Sequence, residues 1–559
     1  MPKTRWRVYA RQDDDLVTHL SKIRGLTETD LALDFANLHD PNLLPDMKAA
    51  RELMKKAVKA KWFVTIFGDY DADGTPASAV LATLMERLGL RYKVVIPTRA
   101  DGYGLKLKDV EIAAKSSQLL ITVDTGIAAV EEITLAKKLG LAVIVLDHHL
   151  PKTELPPADA VIDPYVPGSK YPFNYLCGCA LAYKFVEALS ADFPGILTEG
   201  FRKWLLDLVA ISTVADMMVM KGENRLLVHY GLQVLRKTQR LGLQALLDIA
   251  GLDPLKLSAE NLGYVLGPRL NASGRMGDNY PAFELLMAKT IEEAQEKARI
   301  INQLNTERQG VMETATAEAE KALWAQNKID DHLFVIAGDA WPAGVIGLSA
   351  GKLSYRHNRP VVILTGQGEE LTGSARSIGE YSIIDGLDFS AEHLLSHGGH
   401  QQAAGLRLKK TELPKFVDSL KAHAKKNIAP EDLVPVLTAD AILTPDEVSL
   451  TTAKAVEKLA PFGQANPSPK FIIKYAKLDS PRTMGKDGRH LKWQAKLDGR
   501  DLEVVGFGLA GRFAESPHTT AHLFGALEQN HWNGNTRLQF KLADYQPTDH
   551  RIEKVTRNS

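Results

Sequence analysis

Residues 68–75 read GDYDADGT and place three aspartates, Asp69, Asp71 and Asp73, at alternate positions before a glycine. The segment directly follows the apolar run WFVTIF, which predicts that it begins at the end of a β-strand. Three carboxylates this close together fit a calcium-binding loop, the nucleophile turn of a dehalogenase-type phosphatase, or half of a two-metal site. The remainder of the chain must distinguish these three possibilities.

The first two possibilities lack their other residues. A calcium loop of this type takes a bidentate glutamate at its twelfth position, and counted from Asp69 that position is Val80. The phosphatase turn requires its nucleophile at the strand end and a later lysine with an acidic pair. Here Asp69 precedes the DADGT turn, and no convincing later set follows.

The two-metal possibility gains ligands from two other predicted strands. The run LLITVD ends at Asp124, and AVIVLD ends at Asp147 and is followed by His148 and His149. Groups just beyond the carboxyl ends of parallel strands gather in one crevice of an open sheet. Carboxylates crowded in this way repel one another unless cations neutralise them, and mixed oxygen and imidazole ligands suit Mn²⁺ or Mg²⁺. The spacing therefore favours a two-metal site.

The elements that position these residues follow from the hydrophobic patterns. Between residues 62 and 150, four strand-like runs alternate with helical stretches, which predicts an α/β fold with a parallel sheet covered on both faces. A mostly helical stretch follows, and residues 286–326 lack proline and are rich in helix formers, which predicts one long helix. A second α/β unit begins near residue 331, and short strand-like runs broken by turns from about residue 434 predict a small OB-like β-barrel.

These patterns predict six segments along the chain. They are an N-terminal extension (1–45), an α/β domain (46–285), a connecting long helix (286–330), a second α/β domain (331–430), a small β-barrel domain (431–548) and a tail (549–559).

Composition bounds the class of protein. The 559 residues carry 68 basic and 68 acidic side chains, which disfavours a nonspecific binder of polyanions. Residues 470–559 are modestly basic, with 15 Lys plus Arg against 10 Asp plus Glu, and carry several aromatic residues, as single-strand-binding surfaces do. We expect a cytoplasmic protein, because the N-terminus has no signal-peptide pattern, no membrane-spanning run is present, and Cys177 and Cys179 are predicted to be buried free thiols. We also expect a monomer, because no sequence feature demands oligomerisation.

Several motifs together resemble a known superfamily. GDYDADG, TVDTG, VLDHH and ISTVADMM are similar to the four motifs of the DHH phosphoesterases, and GGHQQAAG is similar to their associated C-terminal domain. PTRADGYGL, GPRLNASGRMG, LNTERQ, GSARS and LAPFGQANPSPKF resemble, in the same order, the single-strand-specific 5′-to-3′ DNA exonucleases of that superfamily. The resemblance runs from about residue 45 to 545. It implies that the first α/β domain (46–285) is the catalytic domain, that the second (331–430) is the associated domain and binds substrate, and that the barrel (431–548) is an OB fold that binds nucleic acid.

The resemblance implies a role for each metal-site residue. It places one ion on Asp69, Asp71 and Asp124 and the second on Asp73, Asp124, His148 and Asp216, so that Asp124 bridges both. The wider superfamily often has His where this chain has Asp69. His149 would stand beside the reacting phosphate, and Asp147 would orient a histidine. Asp207, nine residues before Asp216, is expected to be structural.

The resemblance also implies residues that bind the DNA. Around the terminal phosphate and along a channel between the two α/β units, it implicates Arg99, Tyr103, Arg275, Gln303, Arg308, Ser374, Arg376, Gly399 and His400. A narrow channel would admit one strand and exclude a duplex. The protein would thus recognise a 5′ end and a single strand.

The implied activity is hydrolysis of single-stranded DNA from its 5′ end with two Mn²⁺ or Mg²⁺ ions, releasing 5′ mononucleotides in repair and recombination. Single-strand-binding protein and a repair helicase are the implied partners. Two rivals remain: an enzyme of the same superfamily acting on very short oligonucleotides or cyclic dinucleotides, and a nucleic-acid-binding protein with an inactive site. The second rival would lack some of the ligands, all of which are present here.

Overall fold

A computed structural model describes residues 4–98, 104–152, 154–277, 280–379, 381–485, 488–515, 519–532 and 535–556. The chain forms two compact units. The first unit comprises Leu26–Thr306 and Leu459–Ser468, and the second unit comprises Met1–Gly25, Glu307–Lys458 and Pro469–Ser559. Among the described residues, no helix is both long and apolar enough to span a membrane.

The elements before the first sheet belong to both units. The second unit contributes strand β1 (Arg5–Tyr9) and helix α1 (Leu16–Arg24), and the first unit contributes α2 (Glu28–Ala32) and α3 (Met47–Ala60).

The first unit is built on a five-stranded parallel sheet. Its elements in chain order are β2 (Phe63–Gly68), α4 (Gly74–Leu88), β3 (Arg91–Val95), α5 (Leu107–Ala114), β4 (Leu119–Val123), α6 (Val130–Lys138), β5 (Ala142–Leu146) and β6 (Ala160–Ile162). The strands stand in the order β3-β2-β4-β5-β6. The sequence predicted four of these strands, and β6 is too short to give a pattern of its own.

Both faces of this sheet are buried, as its near-continuous apolar strands require. Ile121 on β4 and Ile144 on β5 pack into one apolar cluster, whereas the neighbouring Leu120 and Val143 pack into another on the opposite face. Because side chains fill both faces, polar residues are displaced to the ends of the strands.

Helices complete the first unit. They are α7 (Gly178–Leu189), α8 (Glu199–Trp204), α9 (Leu206–Ala215), α10 (Gly222–Leu235), α11 (Leu241–Ile249), α12 (Ala259–Asn261), α13 (Gly267–Met276) and α14 (Tyr280–Met287), and a π-helical turn spans Leu262–Leu266. The predicted long helix is α15 (Ile291–Gln326), 36 residues that begin in the first unit and end in the second.

The second unit contains a five-stranded sheet of mixed direction. Its elements are β7 (Phe334–Gly338), α16 (Ala343–His357), β8 (Val361–Thr365), β9 (Glu370–Arg376), α17 (Ile383–Phe389), β10 (Ser396–His400), β11 (Ala403–Lys409) and α18 (Leu413–Asn427). Strands β7 and β8 are parallel, and the remaining pairs in the order β10-β11-β9-β8 are antiparallel.

The C-terminal elements form a closed barrel. They are β12 (Val436–Ala439), β13 (Ala441–Leu443), α19 (Leu450–Glu457), β14 (Phe471–Met484), β15 (His490–Leu497), β16 (Arg500–Gly506), α20 (Ala510–Glu515), β17 (Thr520–Trp532), β18 (Asn535–Gln546) and β19 (Ile552–Val555). The strand order β14-β15-β16-β18-β17 closes because β14 also pairs with β17. This is the five-stranded OB-like barrel expected from the sequence.

The two ends of the chain differ from the expected extension and tail. Strand β1 lies between β12 and β19 in a three-stranded parallel sheet. Trp6 on β1 is 1% exposed and donates its indole N–H to Oδ2 of Asp544 across 2.8 Å. Residues 5–9 and 552–555 are therefore integral to the second unit, a pairing between distant segments that local patterns do not reveal.

Candidate metal centre

Three strand ends and one helix end deliver the acidic and imidazole groups of the first unit. Asp69, Asp71 and Asp73 follow β2, Asp124 follows β4, and the LDHH segment follows β5. Since these strands are parallel neighbours in the order β2-β4-β5, their carboxyl ends meet at one edge. The fourth segment comes from α9, which ends at Ala215 and presents Asp216 as its C-terminal cap residue.

The GDYDADGT turn is organised by one of its own carboxylates. Oδ1 of Asp71 accepts hydrogen bonds from the backbone N–H of Asp73 at 2.8 Å and of Gly74 at 3.0 Å. At Gly74, a Cβ atom would lie 2.6 Å from the backbone oxygen of Asp69. Only glycine allows this close approach, so Gly74 lets the chain turn directly from the acidic segment into α4.

Asp73 is held from the opposite side by the first turn of α7. Its Oδ2 accepts the backbone N–H of Gly178 at 2.6 Å, and its Oδ1 accepts that of Cys179 at 2.8 Å. These N–H groups have no acceptor within a helix, and they favour a negative charge. The sequence offered only the small residues of LCGCA as a signal for this contact. Cys177 and Cys179 are free and buried, as expected.

One imidazole nitrogen lies close to three carboxylates. Nε2 of His148 lies 3.0 Å from Oδ1 of Asp124 and 3.7 Å from Oδ2 of both Asp73 and Asp216. The backbone of Asp124 has a φ of 60°, in the left-handed region that a residue other than glycine rarely adopts. The residue after Asp216, Met217, has a φ of 55°. Such conformations are concentrated at functional sites.

Among the described residues, three groups of side chains could each hold a metal ion. Within each group, the potential ligand atoms all lie within 4.8 Å of one another. The groups are Asp69, Asp71 and Asp124; Asp73, His148 and Asp216; and Asp124, His148 and His149. Asp124 is common to the first and the last group. The two ligand sets expected from the resemblance thus lie side by side, and Asp124 contacts both.

The electrostatics of this cluster match a cation site. Burial, followed by the charges of Asp73 and Asp71, raises the pKa of Asp216 to about 8, and burial with the same neighbours raises the pKa of Asp124. Burial lowers the pKa of His148, which favours the neutral imidazole that binds metals. Oδ2 of Asp216 is buried without a hydrogen-bond partner among the described residues. Carboxylates that repel one another, together with a neutral imidazole, are ligands that suit divalent cations of the Mn²⁺ or Mg²⁺ type.

Asp147 and His149 form a separate pair at the rim. Oδ1 of Asp147 lies 2.8 Å from Nδ1 of His149, and Oδ2 accepts the backbone N–H of Ile127 at 2.9 Å. Burial lowers the pKa of His149, but the hydrogen bond to Asp147 and the negative charges of Asp147, Asp216 and Asp73 together raise it to about 9. His149 is therefore a half-exposed cation at neutral pH, and Asp147 orients it.

Asp207 lies apart from the ligand groups, as expected. Its Oδ2 accepts the hydroxyl of Thr238 at 2.6 Å, and its Oδ1 lies 3.3 Å from Nε of Arg240. These contacts join α9 to the segment between α10 and α11.

Four of the residues expected to bind DNA share one sheet of the second unit. Arg376 on β9 donates from Nη1 to Oγ of Ser374 at 3.1 Å. Ala403 on β11 pairs with Arg376 on one side and with His400 on the other, so His400 lies two strands from Arg376. Gly399 precedes His400, and both are exposed. A Cβ atom at Gly347 on α16 would lie 3.0 Å from Nη2 of Arg376, which makes Gly347 a neighbour that sequence reasoning missed.

The other expected DNA contacts are more scattered. Arg275 on α13 is half-buried and Gln303 on α15 is exposed, both in the first unit, whereas Arg308 on α15 is buried in the second unit. Arg99 and Tyr103 lie outside the described residues.

Comparison with known proteins identifies the family. Residues 63–213 match the DHH family, N-terminal domain, residues 330–426 match the DHHA1 domain, and residues 439–544 match the RecJ OB domain. The single-stranded-DNA-specific exonuclease RecJ of Bacillus subtilis (strain 168) is 35% identical over 567 residues, covering 97% of this chain and 71% of that protein. The chain belongs to the RecJ family. The RecJ exonuclease of Haemophilus influenzae is 32% identical and is matched over 96% of both chains.

Solved RecJ structures share the fold. The crystal structure of RecJ in complex with Mn²⁺ from Thermus thermophilus matches with a TM-score of 0.81 and 26% identity over 98% of this chain and 80% of that chain. The complex with Mg²⁺ from the same source matches with a TM-score of 0.76 and 25% identity over 98% of this chain and 79% of that chain. The RecJ matches confirm both the resemblance drawn from the motifs and the expected fold class.

Proposed function

We propose that this chain is a metal-dependent exonuclease that hydrolyses single-stranded DNA from the 5′ end and releases 5′ mononucleotides. The observation that carries the proposal is the adjacency of two ligand groups. Asp124 belongs to one group with Asp69 and Asp71, and it lies 3.0 Å from His148, which belongs to the other group with Asp73 and Asp216. The chain is a member of the RecJ family. Mn²⁺ or Mg²⁺ fits the oxygen and imidazole donors, and RecJ of Thermus thermophilus has been crystallised with each of these ions.

Each residue of the cluster has a proposed task. Asp69 and Asp71 would hold one ion, Asp73, His148 and Asp216 the other, and Asp124 both. When bound, two such ions supply positive charge that activates a water and stabilises the attacking and leaving oxygens of an in-line displacement.

The surrounding residues would complete the site. The first turn of α7 fixes Asp73 through two backbone N–H groups, which keeps that carboxylate in one orientation. His149, whose pKa is raised to about 9 by Asp147, would remain protonated at neutral pH and stabilise negative charge on the reacting phosphate. Ser374, Arg376 and His400 would bind phosphate oxygens, since a guanidinium offers paired donors that match them.

Asp124→Ala tests the proposal because it removes the carboxylate common to two ligand groups. We expect release of mononucleotides from 5′-phosphorylated single-stranded DNA in Mn²⁺ to fall by at least about 10³-fold, since residues that act as a unit in catalysis have effects of this size. Asp248→Ala is the matched control, because Asp248 is an exposed carboxylate on α11 of the same unit. Near-normal activity of Asp124→Ala would refute the assignment.

The same assay separates the rival functions. Cleavage of dinucleotides alone would favour a phosphodiesterase for short oligonucleotides, and DNA binding without cleavage in wild type would favour a binding protein. Arg376→Ala tests the direction of cutting: we expect loss of the preference for a 5′ phosphate over a 5′ hydroxyl. Arg407→Ala, an exposed arginine on β11 of the same sheet, should retain that preference.

The partners and the setting stay predictions. A single-strand-binding protein and a repair helicase would supply the substrate, and the protein would act as a cytoplasmic monomer. Gel filtration with light scattering tests the monomer.

A further inference from the structure

A fully buried amide joins a segment that carries one metal-site carboxylate to a segment whose backbone binds another. Asn224, on the first turn of α10, is 0% exposed. Its Nδ2 donates to the backbone oxygen of Tyr175 at 2.6 Å and to that of Val219 at 3.2 Å. One side-chain nitrogen thus holds two loops that are 44 residues apart in sequence.

One of these loops leads to a backbone group that binds a candidate ligand, and the other leads to a candidate ligand itself. Tyr175 lies three residues before Gly178, whose N–H binds Oδ2 of Asp73 at 2.6 Å. Val219 lies three residues after Asp216. Asp73 and Asp216 belong to the same ligand group with His148. A shift of either loop would therefore change the distance between the two carboxylates that flank His148.

The chemistry of the contact requires an amide or another donor. Both partners are carbonyl oxygens, which only accept hydrogen bonds. The two hydrogens of one amide nitrogen can serve both oxygens at once, whereas an apolar side chain of the same size would leave both oxygens without this donor. Backbone hydrogen bonds also hold this loop, from the N–H of Met218 to the oxygen of Thr213 at 3.0 Å and from the N–H of Met220 to the oxygen of Gln464 at 2.7 Å. Asn224 adds the side-chain contact at Val219, which lies between them.

We propose that Asn224 is a positioning residue that sets the separation of Asp73 and Asp216 and thereby the affinity for the divalent cation between them. The inference rests on the proposed function, because it assumes that these carboxylates hold a cation. Asn224 touches neither substrate nor ion in this role. It acts through the backbone of two loops, as outer contacts of metal ligands commonly do.

Asn224→Leu is the test, since leucine keeps the size of the side chain and removes both donors without adding charge. We expect the dissociation constant for Mn²⁺, measured by electron paramagnetic resonance of the free ion, to rise by about 10-fold to 100-fold. The Mn²⁺ concentration that gives half-maximal nuclease activity should rise in parallel. The KM for single-stranded DNA should stay within about twofold of wild type, because the DNA contacts lie elsewhere.

Asn327→Leu is the matched control in the second unit. Nδ2 of Asn327 likewise serves two backbone oxygens, of Leu323 at 3.2 Å and of Val335 at 2.8 Å, and its Oδ1 accepts the N–H of Val335. The control loses at least as many hydrogen bonds, so we expect at least as large a fall in thermal midpoint but no change in Mn²⁺ affinity. If Asn224→Leu does not fold, Asn224→Ser carries the test, since its hydroxyl can serve one carbonyl and should give a smaller loss of affinity.

The outcomes distinguish a failure of the role proposed for Asn224 from a failure of the proposed nuclease function. Unchanged Mn²⁺ affinity in a folded Asn224 variant, or an equal loss in Asn327→Leu, would overturn the role of Asn224 while leaving the nuclease assignment standing. Failure of the wild-type protein to bind Mn²⁺ or to cut DNA would instead overturn the proposed function.

Discussion

Gly178 faces Asp124 so closely that a Cβ atom at Gly178 would lie 2.6 Å from Cβ and 3.0 Å from Cγ of Asp124. The same glycine donates its N–H to Asp73. Two carboxylates of the candidate metal centre are therefore positioned against one residue that has no side chain.

Gly178→Ala should displace Asp124 or the start of α7, because a contact of 2.6 Å between carbon atoms cannot be accommodated without movement. We expect nuclease activity to fall by about 10²-fold, as small displacements of catalytic groups produce losses of this size, together with weaker Mn²⁺ binding. Gly200→Ala is the control, because Gly200 lies on α8 with no atom within 4 Å of an added Cβ. Equal activity of Gly178→Ala and wild type would contradict the close contact.

Divalent cations should stabilise the first unit. The cluster crowds buried carboxylates whose mutual repulsion raises the pKa values of Asp73, Asp124 and Asp216 after burial itself. Mn²⁺ at about 100 times its dissociation constant should add about 2.7 kcal/mol to the free energy of unfolding, and chelation should remove this gain. Calorimetric scans with Mn²⁺ and with a chelator measure the difference.

Asp124→Asn should have opposite effects on stability without and with Mn²⁺. Removing one charge relieves repulsion, so the metal-free variant should unfold at a higher temperature than metal-free wild type. It should also lose most of the rise caused by Mn²⁺. A variant that unfolds at a lower temperature without metal and still responds fully to Mn²⁺ would be inconsistent with a shared ligand.

Activity should decline at alkaline pH as His149 loses its proton. Asp147 raises the pKa of His149 to about 9 against the effect of burial, so the imidazolium is present below that pH and is lost above it. Asp147→Asn keeps the shape of the contact and removes the charge. We expect the alkaline limb of kcat/KM to move from about pH 9 toward the ordinary imidazole value of about 6.5. An alkaline limb at the same pH in the variant would exclude His149 as its source.

Asp163 should make the metal-free protein less stable as pH rises. It lies after β6, burial raises its pKa to about 7, and its Oδ2 has no hydrogen-bond partner in the described part of the chain. The folded state therefore holds a proton that the unfolded state releases near pH 4, and stability is lost between about pH 4 and pH 7. Asp163→Asn should unfold at a higher temperature than wild type, by a margin that grows across this range and is constant above it. Thermal midpoints from about pH 4 to pH 9 check this, and a constant margin would argue against a buried, protonated Asp163.

The sequence predicted the parts of the site that depend on strand direction. The alternate aspartates after β2, the aspartate after β4, and the aspartate and histidine pair after β5 are local signals. Parallel pairing of these strands brings the side chains to one edge of the sheet. The resemblance of ISTVADMM to a motif of the superfamily led to Asp216, although that residue comes from a helix end. The long helix and the barrel followed from composition and turn residues.

Other parts depend on contacts between distant segments. Nothing local to LCGCA predicts that Gly178 and Cys179 bind Asp73, because the acceptor lies about 100 residues earlier. Asn224 in GENR reads as an ordinary polar residue in a helix, and its two carbonyl partners appear only in the folded chain. Sequence patterns identify the ligands better than the backbone groups that hold them.

The pairing of β1 with β12 and β19 has a consequence for synthesis of the chain. Trp6 can pair with Ile552 only after residue 552 has been synthesised, and the first unit lies within the sequence of the second. The first unit can fold while the second is still incomplete. We expect the nascent protein to acquire its carboxylate cluster early and to bury Trp6 and Val8 of its N-terminal strand last, so that this strand depends longest on protection from aggregation.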